Sequence, residues 1–151
     1  MMDSILSTDN ILVVLKFSVM EKEILTQKLI IHLVDRFMKA SIEKDTIFME
    51  SYLHPKFLFA TPRGTLFNHD TFFSDFLLNT KFTLVEFERI QQNVIVAPGL
   101  VLMNGVVKAK FQDLEEQFER SSFLWISGSK DWSLLQIHST FTNKPLITCS
   151  R

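Results

Sequence analysis

With 151 residues the chain has the length of one ordinary domain. Such a domain hides roughly 70% of its unfolded surface, so it can fold without disulfides or a structural metal. Hydrophobic residues make up 46% and charged residues 22%, which excludes disorder or coiled coil as whole-chain descriptions. Sixteen basic against seventeen acidic residues leave no positive excess, which argues against a nucleic-acid partner.

In chain order, Ile11 to Val19 is apolar apart from Lys16 and Ser18. That is about half of the ~20 residues a membrane span needs. Only Asp3 and Asp9 carry charge before it, so it does not read as a secretory signal, and no membrane partner is expected. Residues 1–19 read as an N-terminal extension, either an extra strand or helix on the domain or a stretch ahead of a natural start at Met20. A helix is predicted over Glu21 to Glu43, with Leu25, Leu29, Leu33, Phe37 and Ala40 at helical spacing. Asp45 caps a second, shorter helix through Tyr52, which His54-Pro55 ends. Phe57 to Thr61 reads as a strand and Pro62-Arg63-Gly64 as a turn. Asn68 caps a third helix over Asp70 to Leu78. From Lys81 the pattern changes to period two, through Phe87 and again over Asn93 to Ala97. Strands over Leu100 to Phe111, Glu116 to Ile126 and Trp132 to Phe141 follow, with a hairpin loop at Ser127 to Asp131. Helices followed by consecutive antiparallel strands predict an α+β fold: a curved, mixed, mostly antiparallel sheet around about three helices. The domain proper is expected over residues 20–142, with a tail over 143–151 that carries the single cysteine, Cys149. One cysteine allows no internal disulfide and fits a reducing compartment, so the expected location is the cytoplasm.

Three local patterns carry a resemblance: the short helix running into Tyr52-Leu-His-Pro-Lys-Phe-Leu-Phe59, the turn and cap of Arg63-Gly-Thr-Leu-Phe-Asn-His-Asp-Thr-Phe72, and the hairpin from Phe123-Leu-Trp125 to Trp132-Ser-Leu-Leu-Gln-Ile-His138-Ser. Over Glu21 to Phe141 the chain resembles the nuclear transport factor 2-like superfamily. That group includes SnoaL-like cyclases, ketosteroid isomerase and a calmodulin-dependent kinase oligomerisation domain. The resemblance implies a cone-shaped fold with a central pocket, and a homodimer through the outer face of the sheet. Matching the isomerase's tyrosine, base and late acid by motif lands on Phe37, Thr61 and Ser122, none of which can perform those roles. The Arg-x-Asp of related epoxide hydrolases meets Arg120-Ser-Ser122, with the acid missing.

The remaining candidates come from strand alternation. Trp132, Leu134, Gln136, His138 and Thr140 share one face of the last strand, and Arg120, Ser122, Leu124 and Ile126 share one face of the preceding strand. If both faces point into the cone, Arg120, Ser122, Gln136, Thr140 and His138 form a polar floor among apolar walls, the composition of a small-molecule pocket. His138 is then the candidate general base, or a ligand contact, or simply a hydrogen-bonded strand residue. Arg120 is a carboxylate partner or one end of an ion pair with a residue such as Glu86. Tyr52 sits where its hydroxyl reaches the pocket rim, and Trp132 flanks the hairpin as a ligand contact or as packing. The four histidines show no metal-ligand spacing, so neither a metal nor a cofactor is expected. Two functions stay open. One is a cone binding a small, mostly apolar molecule, with cofactor-free lyase, isomerase or cyclase chemistry as its extension. The other is a non-catalytic dimerisation or partner-binding domain, with Phe87, Val107, Phe111, Phe123 and Trp125 as candidate interface residues.

Overall fold

The computed structural model describes residues 7–129 and 131–145; Cys149 lies outside them. The chain opens on α1, Thr8–Glu43, a single 36-residue helix of about 54 Å. Ser7 caps it by accepting from the Asn10 amide. The helix therefore starts well ahead of the predicted Glu21, and no break marks Met20. Its C-terminal half buries Ile30, Leu33, Val34, Phe37, Ala40 and Ser41 against the sheet, whereas the stretch up to Leu25 is exposed. Lys44 ends α1 in the left-handed region at φ 56°, and its ammonium donates to the Leu77 carbonyl across the molecule.

Asp45 caps α2, Thr46–Tyr52, by accepting from the Phe48 amide. The chain enters β1, Leu53–Ala60, directly; Gly64, at φ +85°, turns it into a short β2, Leu66–Asn68, which sequence periodicity did not reveal. Asn68 and Thr71 form a capping box over α3, His69–Thr71. The helix then widens into a π-helix, Phe72–Leu77, followed by a 3₁₀ turn, Thr80–Phe82. The wider turn directs Phe72, Phe76 and Leu77 together at the interior.

The remaining strands are β3 (Leu84–Ala97), β4 (Leu100–Phe111), β5 (Gln117–Ser127) and β6 (Trp132–Phe141). They complete a six-stranded sheet ordered β2-β1-β6-β5-β4-β3, parallel at β1–β6 and antiparallel elsewhere. The two predicted segments Lys81–Phe87 and Asn93–Ala97 are one strand, β3, bent by a register shift between Arg89 and Gln91. At this bend Gly105 lies so close to the opposite backbone that a Cβ would stand 1.9 Å from the Gln91 carbonyl oxygen. The curved, unclosed sheet wraps α1 and the α3–π segment and closes on a phenylalanine-rich core, with Phe57, Phe59, Phe67 and Phe72 in edge-to-face and tilted contacts.

A second register shift, between Leu124 and Trp125 of β5, sets Leu135 of β6 as an extra residue. It decides what faces the interior. Below it Leu134 points inward, opposite Trp125; beyond it Ile137 and Ser139 point inward while Gln136, His138 and Thr140 are exposed on the outer face. On β5 the inward residues are Glu119, Ser121, Phe123 and Trp125, so Arg120, Ser122, Leu124 and Ile126 also lie outside. The polar floor expected of Arg120, Ser122, Gln136, His138 and Thr140 is therefore on the opposite side of the sheet from the cone. Phe87, Val107, Phe111, Phe123 and Trp125, considered as interface residues, face inward.

Candidate functional site

Two chambers occupy the wide end of the cone. The inner one, about 60 Å³, is walled by Phe37 of α1, Phe72, Phe76 and Leu77 of the π-helix, and residues of β3 to β6. The outer one, about 100 Å³, lies under the β1–β2 turn between Thr61, Arg63, Phe67, Leu114 and Phe141. Phe59, Phe76, Phe82, Phe111 and Glu119 line both, so the chambers adjoin across these side chains. Phe76 is the hub of the ring cluster, with centroids 5.1 Å from Phe59, 5.4 Å from Phe67, 5.5 Å from Phe72 and 5.7 Å from Phe82.

Against this apolar wall stand a few polar groups. Glu119 is only 7% exposed, and the Gln117 side-chain amide donates to its Oε2 at 2.7 Å. The buried hydroxyls of Ser121 and Ser139 meet at 2.8 Å across β5 and β6. Burial pushes the Glu119 carboxyl above the ordinary carboxylate range; the Gln117 amide, the Ser139 hydroxyl and the Arg63 charge pull it back only in part. Arg63 lies at the mouth, over the ring of Phe141 at 5.4 Å. This is a carboxyl whose ionisation is disfavoured by burial, set among rings, with a hydroxyl pair beside it and a cation at the rim. Such a group donates one strong hydrogen bond or transfers one proton.

The sequence candidates divide accordingly. Phe37 is 2% exposed and forms a wall of the inner chamber, and Thr61 lines the outer one, where its hydroxyl also accepts from the Thr65 amide. Tyr52 lines neither chamber; its ring packs on Phe48 at 4.9 Å. Trp132 sits at the other end of β6, across a shallow gap from Val19, Lys22, Glu23 and Thr26 of α1. On the outer face, Asn93, Asn104, Ser122 and His138 fall on one line across the strands, and Asn104 donates to Ser122 at 2.8 Å. Lys108, further along this face, meets Glu88 at 2.8 Å and Glu86 at 3.3 Å, and both raise its pKa.

Sequence reasoning missed Glu119, Gln117, Ser121, Ser139 and Arg63 as site residues. The one available signal was a carboxylate inside a predicted strand, sharing a face with Ser121 and Phe123. Among the described residues no group of three or more His, Cys, Asp or Glu side chains is placed to hold a metal ion, and no helix is long and apolar enough to cross a membrane.

No protein-family model and no curated protein matches the chain in sequence. Solved structures do match in fold. An NTF2-like protein from Cytophaga hutchinsonii superposes with a TM-score of 0.70 at 16% identity, over 77% of this chain and 98% of that one. A putative Ca/calmodulin-dependent kinase II association domain from Exiguobacterium sibiricum gives 0.68 at 16% identity, over 82% and 95%. The association domain of Caenorhabditis elegans CaMKII gives 0.66 at 15%, over 80% and 98%. On these superpositions the chain has the nuclear transport factor 2-like fold.

Proposed function

We propose that the cone binds a small, mostly apolar molecule about the size of a single six-membered ring, through one polar atom set against Glu119 and Ser139. The observation that carries this reading is the Glu119 carboxyl, buried at the junction of two chambers whose other walls are largely phenylalanine. The chambers, about 60 and 100 Å³, are together comparable to the roughly 150 Å³ apolar cavity known to accept benzene. They are well below the ~300 Å³ lower bound of pockets for drug-sized ligands. If turnover follows binding, Glu119 is the group placed to give or take the proton without a cofactor. His138 opens on the other side of the sheet. The test is a thermal-shift series with phenol, benzyl alcohol and benzamide, and benzene as the probe lacking a polar atom. The oxygen-bearing probes should raise the Tm of the parent and of His138→Ala, and fail to do so in Glu119→Leu. Equal shifts in all three proteins, or none in the parent, would defeat the reading.

A second reading, association into a homodimer through the outer face of the sheet, rests on a different observation. Ile95, Leu102 and Leu124 fall on one register line, beside Leu100 and Ile126 on the next; Ile95 is 52% exposed and Leu100 44%. An apolar band of this kind suits a self-complementary two-fold contact, and two of the fold neighbours are named as association domains. Leu124→Glu would turn such a dimer into monomers by sedimentation while leaving probe binding in the cone intact.

A further inference from the structure

The first half of α1 is exposed at every residue up to Leu25. Eleven large apolar side chains between Ile11 and Leu29 stand 43–67% exposed. They present on the order of 1,000 Å² of apolar surface, comparable to the ~800 Å² each partner gives to a standard stable interface. A helix with so much apolar surface is normally buried against other helices. Of the seven ways to lay a heptad on this stretch, only one puts four consecutive core positions on apolar residues: Val13, Phe17, Met20 and Ile24. The same register places Asn10 at an a position, the polar core residue that fixes strand number and register in two-stranded coils.

The flanking charges follow that register. Lys16 and Glu23 occupy g positions, and Glu21 and Lys28 occupy e positions. In a parallel, in-register pair each g residue faces the e residue of the next heptad on the other helix. Lys16 then meets Glu21, and Glu23 meets Lys28, on both sides of the seam and with no like-charge pair. An antiparallel pair leaves Glu21 and Lys28 without an opposite charge. The seam is also sterically free. At about 100° per residue it lies roughly 100° around α1 from the stripe Ile30, Val34 and Phe37 that enters the core, so two domains hang on separate sides. At the level of the seam, the helix residues that line the gap facing Trp132 are Val19, Lys22, Glu23 and Thr26, none of them a core position of this register.

We propose that the projecting half of α1 pairs with the same segment of a second copy of this chain as a parallel, in-register coiled coil along Val13, Phe17, Met20 and Ile24. A membrane surface is the weaker occupant, because Asp9, Glu21 and Glu23 balance Lys16, Lys22 and Lys28, whereas surface-seeking helices carry a basic excess. This contact is independent of both the cone and the outer sheet face.

The test uses disulfide trapping in the full chain with Cys149→Ser as background. Parallel pairing brings Met20 against Met20 of the other copy, so Met20→Cys should form a covalent dimer on mild oxidation. Leu25→Cys, roughly 110° around the helix from the seam, should not. Lys16→Glu should raise the dissociation constant of the pair by at least roughly tenfold, and adding Glu21→Lys should restore it by reversing the same charge pair. Equal trapping at Met20→Cys and Leu25→Cys overturns the proposal. So does an unchanged dissociation constant in Lys16→Glu, or sedimentation with anionic phospholipid vesicles without trapping at Met20→Cys. Should Lys16→Glu express poorly, the two cysteine variants decide alone.

Discussion

Replacing Glu119 by glutamine removes the ionisable proton and keeps the size of the side chain. Glu119 is 7% exposed, and burial outweighs the Gln117, Ser139 and Arg63 contributions, so its pKa in the fold is raised above the unfolded value. The sign follows from linkage. A group with a raised folded pKa contributes stability that is complete below its unfolded pKa and is lost as pH rises through its folded pKa. The folded state binds more protons than the unfolded state throughout that window. Parent stability relative to Glu119→Gln should therefore fall as pH rises from the ordinary carboxylate range. Where one full proton separates the two states, the slope approaches about 1.4 kcal/mol per pH unit. Urea denaturation read by tryptophan fluorescence supplies the assay, because Trp125 is fully buried and reports loss of the core. The measurement is the difference between parent and variant at pH 4.5, 5.5 and 6.5, which cancels every other titrating group. A difference that stays flat, or that grows in favour of the parent with rising pH, would show that Glu119 does not sit in the environment described.

Two further outcomes test the frame that holds the site. Gly105→Ala places its Cβ 1.9 Å from the Gln91 carbonyl oxygen, so β3 and β4 must part by more than an ångström; a loss above about 3 kcal/mol is expected in urea denaturation, and a near-neutral effect would contradict the tight bend. Phe57→Ala removes a fully buried ring standing edge-on to Phe72 at 5.3 Å; a cost of about 3–5 kcal/mol is expected by calorimetry, and a loss under ~1 kcal/mol would mean that the core closes over the gap.

Local signals carried much of the fold. Asp45 and Asn68 cap helices where their side chains predict, Gly64 turns the chain, and Pro98-Gly99 joins β3 to β4. The site was less legible, for reasons that particular strands make plain. On β5 one face carries Glu119, Ser121, Phe123 and Trp125 and the other Arg120, Ser122, Leu124 and Ile126. Both sets run from charged through hydroxyl to apolar, so period two offered no contrast by which to choose the buried face. On β6 the unseen extra residue, Leu135, moved Gln136, His138 and Thr140 to the side opposite Leu134. The long α1 was underestimated because the run Ile11 to Leu15 is apolar at every position and hides the helical period there. Phe37 and Thr61, placed by resemblance alone, do line the chambers.

The extra residue in β6 gives this strand one residue of slack in its length. In a surface loop a one-residue deletion is usually absorbed by slack. Removing Leu135 would be absorbed in the same way: Leu134 and Gln136 would follow one another opposite Trp125 and Leu124, leaving Ile137 and Ser139 toward the phenylalanines and Gln136, His138 and Thr140 toward the outer side. Ser139 would keep its hydroxyl contact with Ser121 and its place beside Glu119. A codon lost from the evenly alternating stretch of β5 has no such reserve and would exchange one face of the wall for the other beyond that point.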